Sequence, residues 1–248
     1  MQAKSVWNWY FDATTGRKIP LEIHIMKKFN NWNHPSIIRY LDHFEMASGN
    51  YIIVMEYLGS EWIDLYDYIE MHGPVREDYA KEIFKQVVET VEFLHEKGYS
   101  HNDIKGIFSS NIDENILINP ETRELKLIDF GSTTLFHPKQ AHTLFYGTKK
   151  FAAPESLENT EYLAGPQEAW CLGTLLYVLL FKMDPFKDDV EIINLDISRR
   201  IERLREAGHA YGGASISQAA VELMVGLMNK NPVKRIDCLE IKESTWFS

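Results

Sequence analysis

Four polar side chains between residues 103 and 129 have the types that a catalytic site needs. Asp103 and Lys105 lie in His-Asn-Asp-Ile-Lys, Asn115 lies in Asp-Glu-Asn-Ile-Leu-Ile, and Asp129 begins Asp-Phe-Gly. A carboxylate can accept a proton, and carboxylate and amide oxygens are ligands that Mg²⁺ accepts. The first two motifs are separated by seven residues, Gly-Ile-Phe-Ser-Ser-Asn-Ile, so it is an open question whether Asp103 and Asn115 can act together.

The elements that must position these side chains follow from hydrophobic spacing. An amphipathic helix is predicted at 20–30, and two strands joined by a turn are predicted at 36–45 and 50–58. Further along, the pattern predicts a helix at 76–98, short strands at 115–119 and 125–130, and a long loop at 132–150. Helical patterns return at 167–181, 188–206 and 217–229. A small strand-rich part therefore precedes a larger helical part.

Composition limits the classes of partner. The 248 residues carry a formal charge of −10, which disfavours a nucleic-acid partner and is compatible with a cationic substrate or with solubility alone. Two distant cysteines predict reduced thiols, and the apolar stretch Ala169–Phe181 is too short for a bilayer and predicts a buried helix. Without a signal-like leader, a cytoplasmic or nuclear location is expected.

The order of these motifs resembles a protein kinase catalytic domain. His-Asn-Asp-Ile-Lys and Asp-Glu-Asn-Ile-Leu-Ile are followed by Asp-Phe-Gly, Gly-Thr at 147–148, Ala-Pro-Glu at 153–155, Trp-Cys-Leu-Gly at 170–173 and Arg235. Among kinases the chain is most similar to the Pim and PAS-domain serine/threonine kinases. The resemblance implies an α+β, bilobal fold, with an incomplete N-lobe at 1–57 and a helical C-lobe at 58–248.

The resemblance also implies a role for each reactive side chain. Asp103 would accept or orient the proton of the substrate hydroxyl, and Lys105 would offset charge on the moving phosphoryl group. Asp129 and Asn115 would hold Mg²⁺. Thr148 would bridge toward Asp103 and Lys105 and shape the floor of the substrate site.

The same match places the ATP pocket. Met55 resembles the gatekeeper, Glu56 to Leu58 resemble the hinge that reads adenine, and Asp64 resembles the ribose contact. Leu117 and Ile128 would line the pocket, although both would be core residues in any strand.

Four other residues are assigned by the resemblance. Glu155 and Arg235 resemble the ion pair that ties the activation segment to the helical lobe. Asp67 and Glu114, together with Asp64, match acidic positions that favour Arg-rich substrates. A solvated acidic face is the alternative explanation for these three.

The start of the chain departs from the family. Kinases place a Gly-rich loop and a phosphate-binding lysine ahead of a helix whose Glu pairs with that lysine, and Glu22 fits this helix. No Gly-rich loop precedes it, and only Lys4 and Lys18 could replace the lysine. Lys18 is better explained by an exposed pair at the helix end. Residues 7–22 resemble the loop after the lysine-bearing strand, so the roof of the ATP site is expected to be missing.

The catalytic loop departs as well. The family places its Asn five positions after the Asp, whereas Asn115 follows Asp103 by twelve. Lengthening a flexible loop by this ratio costs about 1 kcal/mol, but displacing a catalytic group by about 1 Å can cost about 100-fold in rate. The fold should survive, and activity should survive only if residues 106–112 bulge outward. An alternative is a gene-model error, in which transcript sequencing would reveal a missing first exon and a retained intron.

A third departure is Asn102, where most kinases have an Arg that grips a phosphorylated activation loop. Because Asn is short and neutral, activity should not depend on a phosphate at, for example, Thr143 pulling on residue 102.

The resemblance therefore predicts a serine/threonine kinase that transfers the γ-phosphate of ATP, with Mg²⁺, to proteins with basic residues near the acceptor. The alternative is a pseudokinase that acts as a binding scaffold. Intact Asp103, Lys105, Asn115 and Asp129 favour the enzyme, and the absent Gly-rich loop favours the scaffold.

Overall fold

The N-terminal part of the molecule combines strands with one helix. A computed structural model describes residues 8–105, 115–158 and 161–248. The first elements are β1 (Trp9–Asp12), β2 (Arg17–Pro20), α1 (Leu21–Trp32), β3 (Tyr40–Glu45) and β4 (Tyr51–Met55). The helix predicted at 20–30 and the two strands predicted after it are confirmed.

The expectation of a loop at residues 7–22 is wrong, because β1 and β2 form an antiparallel hairpin. The hairpin turn is stabilised locally. The Asp12 carboxylate accepts the N–H of Thr14 at 2.9 Å, and the N–H of Gly16 donates to the Asp12 carbonyl at 2.8 Å. Gly16 has φ of 67°, a conformation that glycine adopts without steric cost. Each strand has only four residues, too few to give a clear alternation in the sequence.

Helix α1 is positioned by its apolar face. Ile23, Ile25, Met26 and Phe29 are buried, which fits the three- and four-residue spacing of a helix that packs on one side. The ring of Phe29 meets that of Phe130 at 4.8 Å between centroids in an edge-on arrangement. This contact fixes α1, and with it Glu22, against the Asp-Phe-Gly segment.

The C-terminal part is mainly helical. Its helices are α2 (Leu65–His72), α3 (Glu77–Glu96), α4 (Pro154–Leu157), α5 (Ala164–Phe181), α6 (Asp189–Asn194), α7 (Ile197–Glu206), α8 (Gln218–Leu227) and α9 (Cys238–Glu243). Its short strands are β5 (Ile63–Asp64), β6 (Tyr99–Ser100), β7 (Ile116–Ile118), β8 (Leu125–Leu127), β9 (Thr134–Leu135), β10 (Ala141–His142) and β11 (Tyr162–Leu163). With the N-terminal strands, these elements give an α+β fold.

Helix α5 forms the centre of the helical part. Every residue from Ala169 to Phe181 is buried, as the continuous apolar run predicts, and α5 packs against α3 and α8. A membrane-crossing helix is absent from the described ranges, since none there combines sufficient length with sufficient apolar character.

Three small sheets hold the loops between these helices. Strands β5, β7 and β8 form one antiparallel sheet, β6 pairs with β9, and β10 pairs with β11. The β6–β9 pair places residue 100 opposite residue 134. Because this pair is antiparallel, the residues that follow β6 lie beside those that precede β9, at the end of the Asp-Phe-Gly segment.

Two sequence predictions need correction. The segment 132–150 is not one irregular loop, because it contains β9, β10 and the start of a 3₁₀ turn at Lys149–Phe151. Two-residue strands carry no period that a sequence can display. The single helix predicted at 188–206 is two helices, α6 and α7. The helix is interrupted at Asp196. Its carboxylate accepts the N–H of Ser198 at 3.1 Å and that of Arg199 at 3.5 Å, which makes Asp196 the N-cap of α7.

Candidate active site

The Asp103 carboxylate is the centre of the site. Its Oδ1 accepts the N–H and the hydroxyl of Thr148, at 3.0 and 2.9 Å. Its Oδ2 lies 2.9 Å from Nζ of Lys105 and accepts from Nδ2 of Asn115 at 2.8 Å. The side chains of Asp103 and Lys105 are only 9% and 6% exposed. Four donors from three segments of chain therefore fix the orientation of one nearly buried carboxylate.

Asn115 reaches Asp103 despite the twelve-position spacing. Besides the carboxylate contact, its Nδ2 donates to the Asp103 carbonyl at 2.8 Å. The carbonyl of Asn115 accepts the N–H of Ile128 at 2.9 Å, so the residue continues the antiparallel β7–β8 pairing. The pairing with β8, rather than the length of the preceding segment, sets the position of Asn115. Residues 106–114, which include the seven extra residues, lie outside the described ranges.

The buried amide oxygen of Asn115 is suited to a bound cation. Oδ1 of Asn115 is buried and makes no hydrogen bond within the described part of the chain. Buried polar atoms are normally satisfied, and an amide oxygen without a donor is a ligand suited to a hard cation. Asp129 lies one residue beyond Ile128, the backbone partner of Asn115. The site therefore offers an amide oxygen and a carboxylate at the same end of the β7–β8 pair.

The backbone at Asp129 is held in an uncommon conformation. Its φ is 59°, in the left-handed region, and its Oδ1 accepts the N–H of Gly131 at 3.1 Å. A Cβ added to Gly131 would lie 3.1 Å from Oδ1 of Asp129 and 3.6 Å from Oε2 of Glu22. Glu22 of α1 and Asp129 thus border the same glycine. Strained conformations of this kind cluster at functional sites.

Glu168 contacts the residues that lead into Asp103. This fully buried side chain of α5 accepts from the hydroxyl of Ser100 at 2.7 Å and from the N–H groups of His101 and Asn102 at 2.5 and 3.1 Å. It also bonds to Nε2 of His95. Burial alone would raise the pKa of Glu168, but His95 and the hydrogen-bond donors outweigh burial and hold the pKa below its ordinary value of 4.5.

The lowered pKa of Glu168 predicts a pH-dependent contribution to stability. Such a group contributes fully above its ordinary pKa of 4.5, and the contribution is lost as pH falls below that value through the folded-state pKa. Glu168→Gln cannot ionise, so its urea unfolding midpoint should lie furthest below that of the natural chain at about pH 7, and the difference should shrink progressively as the pH falls below 4.5. A gap of constant size across that range would contradict the prediction.

The predicted hinge residues lie at the end of β4. Met55 is 39% exposed, and Leu58 is partly buried against the core. The Glu56 side chain turns to Arg39 and Lys126: its Oε1 accepts the N–H of Arg39 at 2.9 Å and lies 3.2 Å from Nζ of Lys126. Burial would raise the pKa of Glu56, but these hydrogen bonds and charges lower it. The side chain of Glu56 therefore has partners within the protein.

The remaining predicted pocket residues lie on the β5–β7–β8 sheet. Asp64 pairs with Leu117 across β5 and β7, and its Oδ1 caps α2 by accepting the N–H of Tyr66 at 3.3 Å. Ile128 follows β8, and its carbonyl lies 3.3 Å from Nε2 of His101. The sheet joins these residues to Asn115 and Asp129. The roles predicted for them in nucleotide binding stay predictions.

The structure contains the predicted ion pair between Glu155 and Arg235. The guanidinium contacts both carboxylate oxygens, at 2.6 and 2.9 Å, and also donates to the carbonyls of Pro166 and Asn229. The side chain of Arg235 is 0% exposed. This pair connects α4 to the chain that follows α8.

Two other predicted residues, Asp67 and Lys18, lie on the surface. Asp67 is exposed in the first turn of α2, and Lys18 is exposed on β2. Lys4 and Glu114 lie outside the described residues.

Sequence reasoning missed the supporting role of Gln167 and Glu168. Both are buried, and Gln167 accepts the N–H of Ala153 at 2.8 Å and donates to the carbonyl of Phe151 at 3.0 Å. Two adjacent polar residues immediately before a thirteen-residue apolar run were the available signal. Buried polar side chains need partners, and these partners belong to the catalytic loop and to the segment before α4.

Comparisons with known proteins show the family to which the sequence is similar. The profile of the family described as protein kinase domain matches residues 3–247. The chain is 34% identical over 238 residues to serine/threonine-protein kinase PSK1 of Saccharomyces cerevisiae, covering 96% of this chain and 16% of that protein. It is 34% identical to the PAS domain-containing serine/threonine-protein kinase of Mus musculus, covering 96% and 15%. For serine/threonine-protein kinase pim-2 of Danio rerio, identity is 37% over 180 residues, covering 71% and 55%. The chain thus spans less than two-thirds of each of these relatives.

Proposed function

We propose that this chain, which belongs to the protein kinase domain family, transfers the γ-phosphate of ATP to Ser or Thr hydroxyls of protein substrates. One observation carries the proposal. Asp103 receives hydrogen bonds from Asn115 and Thr148 and pairs with Lys105, even though seven extra residues interrupt its loop. Phosphoryl transfer depends mainly on alignment and charge stabilisation, and this arrangement supports both.

The chemistry of the chain's own residues follows from these contacts. A substrate hydroxyl that approaches the Asp103 carboxylate can donate its proton there as it attacks the γ-phosphorus. Lys105 lies beside the same carboxylate and can offset charge on the transferred group. Thr148 holds Oδ1 with two hydrogen bonds, which keeps the carboxylate from rotating away from the acceptor.

Asn115 and Asp129 are the residues that would hold Mg²⁺. The buried Asn115 Oδ1 and the Asp129 carboxylate are the oxygen ligands that this ion takes, and substrate phosphates complete such sites. Bound Mg²⁺ supplies positive charge that neutralises the phosphates of ATP.

We assign the nucleotide to the region of Glu22, Met55 and Ile128. Adenine would contact backbone groups at 56–58, and Leu117 and Ile128 would contact its face. Lys4 falls inside the range matched by the family profile and is proposed as the partner of Glu22.

Substituting Lys4 tests that assignment, with Lys18 as the matched control. Lys4→Met should lower kcat/KM for ATP by about 100-fold, because a charge that stabilises the phosphates is lost. Lys18→Met removes an exposed lysine from β2 and should have little effect. Equal activities of the two variants, measured at varied ATP, would exclude Lys4 from the nucleotide site.

Deleting residues 106–112 tests whether the extra residues matter. The deletion restores the five-position spacing of the family, and β7–β8 pairing already sets the position of Asn115. We therefore expect phosphate transfer to persist, and the free energy of unfolding to change by about 1 kcal/mol. If the deletion abolished transfer while the chain stayed folded by circular dichroism, the extra residues would belong to the site.

The acidic side chains support basic protein substrates. Asp67 is exposed on α2, Glu114 lies beside Asn115 in the sequence, and the chain carries a charge of −10. An Arg near the acceptor can pair with such carboxylates.

The two cysteines are free and buried, which supports a reducing compartment such as the cytoplasm or nucleus.

The decisive experiment is transfer of radiolabelled phosphate from ATP to two Ser peptides that differ only in Arg against Ala near the acceptor. Labelling should require Mg²⁺, should stop with EDTA, and should be several-fold faster for the Arg peptide. If labelling does not exceed that of an Asp103→Asn preparation, the proposal is overturned and the noncatalytic scaffold remains as the explanation. Equal rates for the two peptides would reject only the basic preference.

A further inference from the structure

We propose that Asn102 is a positioning residue whose neutral side chain locks the catalytic loop to the segment that follows Asp-Phe-Gly. This inference rests on the proposed function, and it concerns how Asp103 is kept in place. Asn102 precedes Asp103 directly and is 1% exposed, so its side chain cannot serve as a surface contact.

The backbone of Asn102 is fixed on both sides. Its φ is 63°, a left-handed conformation that Asn tolerates better than most residues other than glycine. Its N–H donates to Oε1 of Glu168 at 3.1 Å. On the other side, a Cβ added to Gly147 would lie 2.2 Å from the Asn102 carbonyl oxygen, so the chain before Thr148 packs directly on this peptide group.

The side-chain amide of Asn102 joins two stretches of chain, its own at 100–102 and the one at 132–134. Its Nδ2 lies 3.0 Å from the Ser132 carbonyl, 2.8 Å from Oγ1 of Thr134 and 3.3 Å from the Ser100 carbonyl. Its Oδ1 accepts the hydroxyl of Ser100 at 3.1 Å. Thr134 pairs with Ser100 across β6 and β9, so the amide closes a network that the two strands begin.

This network links the positions of Asp103 and Asp129. Asp103 is the next residue after Asn102, and Ser132 and Thr134 follow Asp129 closely. Buried networks with every member satisfied rigidify the groups they join. Losing the amide should therefore misplace the general base relative to the metal-binding carboxylate without removing either group.

The network also works without charge at residue 102. Within the described residues, each hydrogen-bond partner of the Asn102 side chain is neutral: a hydroxyl or a carbonyl of Ser100, Ser132 or Thr134. Both Nδ2 and Oδ1 of this amide therefore form hydrogen bonds within the protein. A phosphate added to an exposed segment residue such as Thr143 would find no cation at residue 102, so the placement of Asp103 should not depend on it.

Two substitutions separate the backbone from the amide. Asn102→Gly keeps a residue that adopts positive φ freely and removes the amide. Thr134→Val leaves residue 102 intact and removes the Oγ1 acceptor with little change of shape. We expect kcat to fall by about 100-fold for Asn102→Gly and by about 10-fold for Thr134→Val, with the KM for ATP changed by less than about threefold.

Hydrogen exchange measured by mass spectrometry gives a readout without substrate. Amides at 132–136 should exchange faster in Asn102→Gly than in the natural chain, while those at 172–180 in α5 should be unchanged. Equal exchange at 132–136 in the two proteins would overturn the proposal. So would a uniform rise across both regions, which is what general destabilisation produces. Because exchange needs no catalysis, these outcomes stay interpretable even if the natural chain fails to transfer phosphate.

A separate experiment tests whether the transfer rate is independent of phosphorylation. Phosphatase treatment of the purified natural chain, followed by removal of the phosphatase, should leave its initial transfer rate within about twofold, well inside the 100-fold effect expected for a misplaced base. A rate that falls by about 100-fold and returns on rephosphorylation would contradict the claim that the neutral network suffices.

Discussion

Asp103→Asn should lower kcat for phosphate transfer by about 1000-fold, because proton acceptance by a positioned side chain contributes roughly 100- to 10,000-fold. Asn has nearly the same shape as Asp, so Thr148 can still donate to its side-chain oxygen. What is lost is the negative charge that accepts the hydroxyl proton and pairs with Lys105 at 2.9 Å. Transfer of radiolabelled phosphate under saturating ATP and peptide measures the change.

Asp189→Asn is the matched control for this variant. Asp189 is exposed in the first turn of α6, away from the donors that surround Asp103, so its exchange should leave kcat unchanged. The KM for ATP should be similar in all three proteins, because Asp103 is not assigned to the nucleotide. If Asp103→Asn kept more than about one-tenth of the natural rate, Asp103 would not be the proton acceptor, given the range expected for such a group.

Arg235→Met should lower the free energy of unfolding by about 3–5 kcal/mol. The guanidinium is fully buried and contacts both oxygens of Glu155 at 2.6 and 2.9 Å. Removing it takes the pairing guanidinium from a carboxylate that is only 12% exposed, and breaking a buried pair from one side is far more harmful than lacking the pair altogether. Urea unfolding followed by circular dichroism measures the difference.

Two further variants show whether the loss of stability comes from the charge that remains on Glu155. Adding Glu155→Gln to Arg235→Met removes that charge, so the double variant should be more stable than the single Arg235→Met variant. Arg199→Met breaks an exposed pair with Asp196 whose N···O distance is 3.2 Å, and should leave the unfolding midpoint nearly unchanged. A double variant no more stable than Arg235→Met would show that the lost hydrogen bonds to Pro166 and Asn229 dominate instead.

Much of the fold could be predicted because its signals are local. Helix α3 follows from apolar residues three and four positions apart, and the burial of α5 follows from its continuous apolar run. The hairpin β1–β2 and the two-residue strands β9 and β10 escaped prediction, because segments of two to four residues cannot show a period. The break between α6 and α7 depends on one capping carboxylate, that of Asp196.

The sequence by itself determined which reactive side chains this protein has, their order, and hence the family that they indicate. It did not determine whether Asn115 reaches Asp103, because the spacing of twelve positions leaves that distance open. Only the tertiary structure decided it: Asn115 is placed by its strand partner Ile128, and Thr148 comes from 45 positions away to hold the same carboxylate. Likewise, Glu168 and Asn102 acquire their roles only through partners that folding brings together. Spacing along the chain constrains near neighbours, whereas the separation of distant residues is set by the packing of the elements that carry them.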